Sequence, residues 1–348
     1  MKRRTFLPTL LAFFCTLLIT VSCAQNAPQA DAPAEPAPAT ATAGEPVKMG
    51  YSNWAGWWPW AVAEAEGLFE KNGANVELIW FDGYLESIQA LAGGQLDANG
   101  QTLNDTISFL ADAANGMVTV LVNDNSAGND KIIVADGIDS VADLKGKTVA
   151  LEEGVVDDFL LTLALEDAGM KRDDVEIKNL ETGAAATAFA AGQTDGFGGW
   201  VPFWETALSR EGSKEIITSK DYPGAIPDLL VVSQKLIDER PEQVQALVDT
   251  WFDTLAFIKA NPDRANEIMA KRASVSDTEF EKYTEGTKIF TLEENLEAFQ
   301  AGGDDMKYMP YAAQKMTDFM VKVGFIPQAP DLSKLLDDQF VKAYAAKK

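Results

Sequence analysis

The sequence predicts an α/β protein of two lobes, joined by two crossovers and followed by a helical C-terminal part. Three observations predict it. Short apolar runs alternate with helical patterns from Val47 to Val122. A polar run, Asn123-Asp124-Asn125-Ser126-Ala127-Gly128-Asn129-Asp130, then interrupts the pattern, which resumes at Asp143. From Val244 onward, Leu247, Val248, Trp251, Phe252, Leu255 and Ile258 recur at the spacing of one helix face.

Val47 to Tyr51 reads as a strand and Trp58 to Phe69 as a helix, closed by Gly67 and Gly73. Val76 to Phe81 is a strand, turned by Asp82-Gly83 into a helix with Tyr84, Leu85, Ile88 and Leu91 on one face. A strand over Leu96 to Gln101 leads through Thr102-Leu103-Asn104-Asp105 into a helix, and Val118 to Val122 is the fourth strand. The polar run 123–130 is expected to be a crossover, with Lys131 to Ala135 extended after it. The second series has a strand in DLKGKTVAL (Asp143 to Leu151), the loop Glu152-Glu153-Gly154, and a helix to Gly169. A strand over Val175 to Leu180 and a helix over Ala184 to Ala191 follow, and Gly196 to Gly199 leads to Trp200. The Tyr222 to Asp228 loop, with Pro223 and Pro227, reads as the return crossover. The expected units are lobe 1 from 47–124 plus 229–348, and lobe 2 from 125–228.

Lys2, Arg3 and Arg4 precede the apolar run Phe6 to Ile19, and Thr20-Val21-Ser22 leads to Cys23, so residues 1–22 read as a secretory signal. Cys23 is the expected lipidation site, and the Ala/Pro-rich stretch 23–46 a disordered tether. The expected location is periplasmic or cell-surface, anchored by lipid and not spanning the membrane. The formal charge is −24, becoming −27 without Lys2, Arg3 and Arg4, and this argues against nucleic acid and anionic lipid as partners. Histidine is absent, which removes Ser-His-Asp and Cys-His catalysis and histidine-based zinc sites.

The stretch GYSNWAGWWPW, Gly50 to Trp60, places Trp54, Trp57, Trp58 and Trp60 within seven residues, half of the chain's eight tryptophans. With Gly56 and Pro59 in the same loop, it reads as a ligand-facing aromatic wall or as a packed hydrophobic loop. In open parallel sheets, ligands bind outside the carboxyl ends of the strands. The Trp loop, Asp82, Asn104, Asp105 and Asn123 all fall there.

The leader, GLF at Gly67 to Phe69, G-Q-L-D at Gly94 to Asp97, DLKGKTVAL, and A-G-Q-T-D at Ala191 to Asp195 carry a resemblance. Together they resemble the solute-binding proteins of ABC importers, in the branch serving nitrate, taurine, aliphatic sulfonates and thiamine pyrimidine precursors. The resemblance implies the periplasmic-binding-protein fold, type II-like, closing on a small ligand for a permease and its ATPase. GYSNWAGWWPWAVAEAEGLF, WFDGYLESIQAL and TLNDT are also similar to a subgroup associated with guanidine and urea-carboxylase loci.

The residues themselves speak to the ligand's charge. No arginine lies between Arg4 and Arg172, and residues 49–130 hold eleven acidic residues against one basic residue, Lys71. The second-lobe loop that would cradle an anion instead reads Glu152-Glu153-Gly154-Val155-Val156-Asp157-Asp158. A cation suits such a site, because indole faces attract cations by about 0.5 to 2 kcal/mol per contact and carboxylates take its N–H donors. Guanidinium is the favoured ligand, being planar, permanently charged and able to pair bidentately with carboxylates.

The expected ligand residues are Trp54, Trp57, Trp58, Asp82, Asn104, Asp105, Asn123, Glu153, Asp157, Trp200 and Asp228. Asp82 and Asp105 have an alternative use as helix caps, Glu153 and Asp157 as first-turn acids, and Asp228 as a hinge brace. Urea, sulfonate or taurine, nitrate and a pyrimidine are the alternative ligands, and a hydrolase using paired carboxylates such as Glu153 and Asp105 is the alternative class. The reading is of a monomeric receptor without catalytic residues, metal or cofactor.

Overall fold

In the computed structural model, residues 44–348 are described, so the expectations for the signal, Cys23 and most of the tether lie outside the described residues. The strands are β1 (Val47–Tyr51), β2 (Val76–Trp80), β3 (Ala98–Thr102), β4 (Val118–Ser126), β5 (Lys131–Val134) and β6 (Thr148–Leu151). They continue as β7 (Glu176–Asn179), β8 (Gly196–Gly199), β9 (Lys214–Thr218), β10 (Pro227–Val232) and β11 (Thr287–Ile289). Two sheets result, ordered β11-β4-β10-β3-β1-β2 and β7-β6-β8-β5-β9. The α/β two-sheet fold with a helical C-terminal part is therefore present.

The sheets are mixed, not purely parallel. β1 pairs in parallel with β2 and β3, and β6 with β7 and β8. β10 runs antiparallel between β3 and β4, and β5 antiparallel between β8 and β9. These are the strands by which the chain passes from one sheet to the other, so each enters against the local strand direction. β10 is buried along its whole length, as Pro-Asp-Leu-Leu-Val-Val at the middle of a sheet requires.

Two expectations change. The Trp58 to Phe69 helix is two helices, Pro59–Ala65 and Leu68–Lys71, divided where Gly67 takes a left-handed φ of 64°. The fourth strand does not stop at Val122: β4 continues to Ser126 because β10 pairs with Asp124 and Asn125. Asn123 is the extra residue of a bulge there, since Asp228 faces Asp124 while Leu229 faces Val122.

Behind the first sheet, the helix Pro241–Ala260 packs on the helix Pro59–Ala65. Trp60 stacks on Phe69 at 6.0 Å and meets Trp251 at 4.8 Å. Each such ring adds about 1.5 to 3 kcal/mol by burial and anchors the preceding tryptophan loop.

Candidate functional site

A small, nearly closed cavity of about 10 Å³ lies where the carboxyl ends of strands from both sheets meet. Trp54, Trp57 and Tyr84 wall it from the first sheet's side, and Val156 and Trp200 from the second's. Asp130, Ile226 and Asp228, in the crossover segments, complete the lining with Thr102.

The aromatic rings support each other. Tyr84 sits 5.6 Å from Trp57 and 5.5 Å from Trp200, the second contact edge-to-face. Trp57 lies on β3 only because residue 100 is glycine, whose Cβ would come within 2.9 Å of the indole. The Trp54 indole N–H donates to Asp124 Oδ1 at 3.0 Å. Asp124 in turn rests on Gly56, where a Cβ would fall 1.7 Å from Asp124 Oδ2. Thus Gly56 lets the loop close over a carboxylate.

Asp105 is held by three donors. Tyr84 and Thr102 hydroxyls donate to its Oδ2 at 2.8 and 2.7 Å, and the Asn104 amide to its Oδ1 at 2.7 Å. Thr102, not Asp105, is the N-cap of the helix Leu103–Leu110, its hydroxyl accepting from Asp105 N. Asp105 is therefore free of the capping role that the sequence left open.

The second side contributes acids at the start of the helix Val156–Asp167 and just before it. Both carboxylate oxygens of Asp157 are buried without a partner. Glu152 accepts from Leu85 N–H at 3.3 Å and from the Thr182 hydroxyl, linking one side to the other. Trp200 makes a second link, its indole N–H donating 2.9 Å to the Asn53 carbonyl.

Burial without counter-charge shifts these acids upward. It pushes Asp105, Asp130 and Glu152 up to about 7 and Asp124 up to about 8. Asp157 and Asp228 are raised well above the ordinary carboxylate range, first by burial and then by neighbouring carboxylates. No lysine or arginine among the described residues lines the cavity. Two cations at neighbouring positions in the chain are engaged elsewhere: Arg172 forks onto Asp158 at 2.8 Å twice and binds Glu153 at 2.8 Å, while Lys131 pairs with Glu215. No group of three or more acids, cysteines or histidines among the described residues is arranged to hold a metal ion.

Among the sequence-predicted residues, the structure brings Trp54, Trp57, Trp200 and Asp228 to the cavity wall, with Asp105 and Asp157 buried among the same carboxylates. Asn104 is reached through Asp105. Asn123 sits at the bulge with both amide atoms buried and unpartnered. Three residues depart from the expectation. Trp58 turns away to Phe280 and Tyr283, its N–H satisfied by Asn53 Oδ1 at 3.0 Å. Asp82 accepts from Trp80 Nε1 on the outer surface, and Glu153 is drawn out by Arg172. Sequence reasoning missed Tyr84, Thr102, Asp124, Asp130 and Glu152. Asp124 and Asp130 carried a signal, as acids at the two ends of a polar run following an apolar strand.

A model of the NMT1-like family matches residues 41–274. The chain belongs to the NMT1-like family. A protein of Brucella abortus (strain 2308), described as a binding protein, is 30% identical over 306 residues, covering 87% of this chain and 88% of that one. The taurine-binding periplasmic protein of Escherichia coli (strain K12) is 31% identical over 213 residues, 59% of this chain and 64% of its own. In fold, the chain matches the periplasmic aliphatic sulphonate binding protein of Escherichia coli with a TM-score of 0.69 at 21% identity, over 85% of this chain and 94% of that one. This NMT1-like chain is thus related to solute-binding proteins, a periplasmic one among them.

Proposed function

We propose that the protein is a lipid-anchored receptor, attached through Cys23, that closes on guanidinium and passes it to a membrane permease driven by an ATPase. Closure brings the segments 47–124 and 229–348 together with 125–228 around the cavity. The observation that carries the reading is the charge of the site: Asp130 and Asp228 line the cavity, Asp105, Asp124 and Asp157 are buried as well, and no cationic side chain among the described residues lines it. A sulfonate or nitrate there would meet carboxylates with no arginine or lysine to offset them. Guanidinium would stack on the indoles of Trp57 and Trp200 and direct its N–H edges to Asp228, Asp130 and Asp157.

Urea is the second reading, and one atom favours it. Trp57 Nε1–H is buried without an acceptor, and urea's carbonyl oxygen offers one where guanidinium has none. Fluorescence separates the two, because Trp54, Trp57 and Trp200 all line the cavity. Titration of the exported protein with guanidinium chloride is expected to change tryptophan emission with saturation at micromolar concentration. Saturation by urea at a lower concentration than guanidinium would reverse the order of the two readings, and a response to taurine or nitrate alone would overturn both.

A further inference from the structure

Asp124 and Asp228 face each other across the β4–β10 ladder, one on each strand. Directly opposite residues of an antiparallel pair point to the same face, so the two buried carboxyls are neighbours. Two carboxylates can share a hydrogen bond only when one of them carries a proton. Oδ2 of each is buried with no N–H or O–H donor from the described residues, while Asp124 Oδ1 is fixed by Trp54 Nε1–H. Asp228 also lines the cavity.

Resting on the cation reading above, we propose that the site exchanges a proton for its ligand: the proton shared by Asp124 and Asp228 leaves for solvent as the cation enters. The surroundings make this exchange the cheapest way to admit positive charge. Every titratable group facing the pair from neighbouring elements is acidic or neutral. Asp130 comes from the crossover and Asp105 from the helix after β3, and those two are in turn faced by Asp157 from the second sheet's side, with Glu152 beside it. Tyr84 is a buried phenol bonded to Asp105. On β11, which pairs with β4, Lys288 is turned to Glu294, and Lys131 beside Asp130 is turned to Glu215. With no fixed positive charge facing them, protons supply the neutralising charge in the closed cluster. A monovalent cation entering at Asp228 supplies it instead, so that one proton becomes surplus and leaves the cluster. The charge of the cluster is conserved: one positive ion enters and one proton leaves.

The test is isothermal calorimetry of the exported protein with guanidinium chloride at pH 7, in buffers of different ionisation enthalpy. The slope of observed enthalpy against buffer ionisation enthalpy counts protons. Release of close to one proton per cation is expected, and a slope of zero would overturn the exchange. Asp228→Asn, with Asp124→Asn as the second variant should the first fail to fold, is expected to reduce the release by more than half. An unreduced slope in the folded variant would overturn the assignment to this pair. Infrared difference spectra between the parent and the variant, taken without ligand, read the shared proton directly as a protonated-carboxyl band that the variant lacks. Should guanidinium not bind at all, that band's presence would preserve the shared proton while the cation reading falls, and its absence would overturn the pair as well.

Discussion

Replacing Asp105 by asparagine tests how the fold carries its buried acids. Asp105 is displaced from 3.8 to about 7, chiefly by burial, and its hydrogen bonds from Thr102 and Tyr84 oppose that rise. The displacement corresponds to roughly 4 kcal/mol between the protonated and ionised forms. The sign follows from proton counting: between pH 4 and 7 the folded chain holds a proton on Asp105 that the unfolded chain has lost. Its contribution to stability is fully present below pH 4 and is lost as pH rises toward 7. The Asp105→Asn side chain does not titrate, so the variant's stability is expected to fall less steeply across that window. An amide keeps an acceptor for the Tyr84 and Thr102 hydroxyls but turns a donor toward Asn104 Nδ2, at a constant cost of about 1 kcal/mol. Thermal unfolding followed by circular dichroism at pH 4 to 8 is the assay; urea and guanidinium denaturation are unsuitable because both are proposed ligands. The melting temperature of the parent is expected to drop over this range by roughly 5 to 10 °C more than that of the variant. Parallel pH profiles for the two proteins would refute the reasoning that Asp105 is protonated at the expense of its charge.

Other outcomes follow from the same geometry. Gly56→Ala would drive a methyl group into Asp124 and is expected to weaken ligand binding at least tenfold, measured by calorimetry, since the tryptophan loop must lift away. Trp200→Phe keeps an aromatic wall but loses the bond to the Asn53 carbonyl; a loss of about 1 kcal/mol predicts a roughly fivefold faster dissociation by stopped-flow fluorescence with little change in association. Glu153→Gln is expected to leave affinity within twofold, because its carboxylate is occupied by Arg172 outside the cavity. Trp57→Phe removes the unpartnered indole N–H and is expected to weaken urea more than guanidinium in parallel titrations.

Element type was legible because apolar periodicity records which face of each strand and helix is buried, and that holds for β1, β2 and the helix Pro241–Ala260. It failed in β4, where the strand turns polar at Asn123, Asp124 and Asn125 because these positions approach the site and the bulge instead of the core. The same failure hid Asp124 inside an apparent loop, while Asp130 does lie in the loop between β4 and β5. Side-chain direction was not legible where the chain bends. Trp57 and Trp58 are neighbours in sequence, yet one lines the cavity and the other packs on Phe280. Glu152 and Glu153 divide in the same way at the end of β6, one buried beside Thr182 and one paired with Arg172. A partner 19 residues away decided that second choice, and no local pattern encodes it. Tyr84 falls on the apolar face of its helix, and what the pattern could not show is that its hydroxyl reaches Asp105.

The central claim is that a cavity built of indoles and uncompensated carboxylates receives a small cation. Calorimetric titration of the exported protein with guanidinium, urea, taurine and nitrate in parallel tests it most directly. The account predicts guanidinium as the tightest of the four, binding more tightly at pH 8 than at pH 6 because it competes with protons for the raised carboxyls. Tighter binding of taurine or nitrate, strengthening as pH falls, would contradict it.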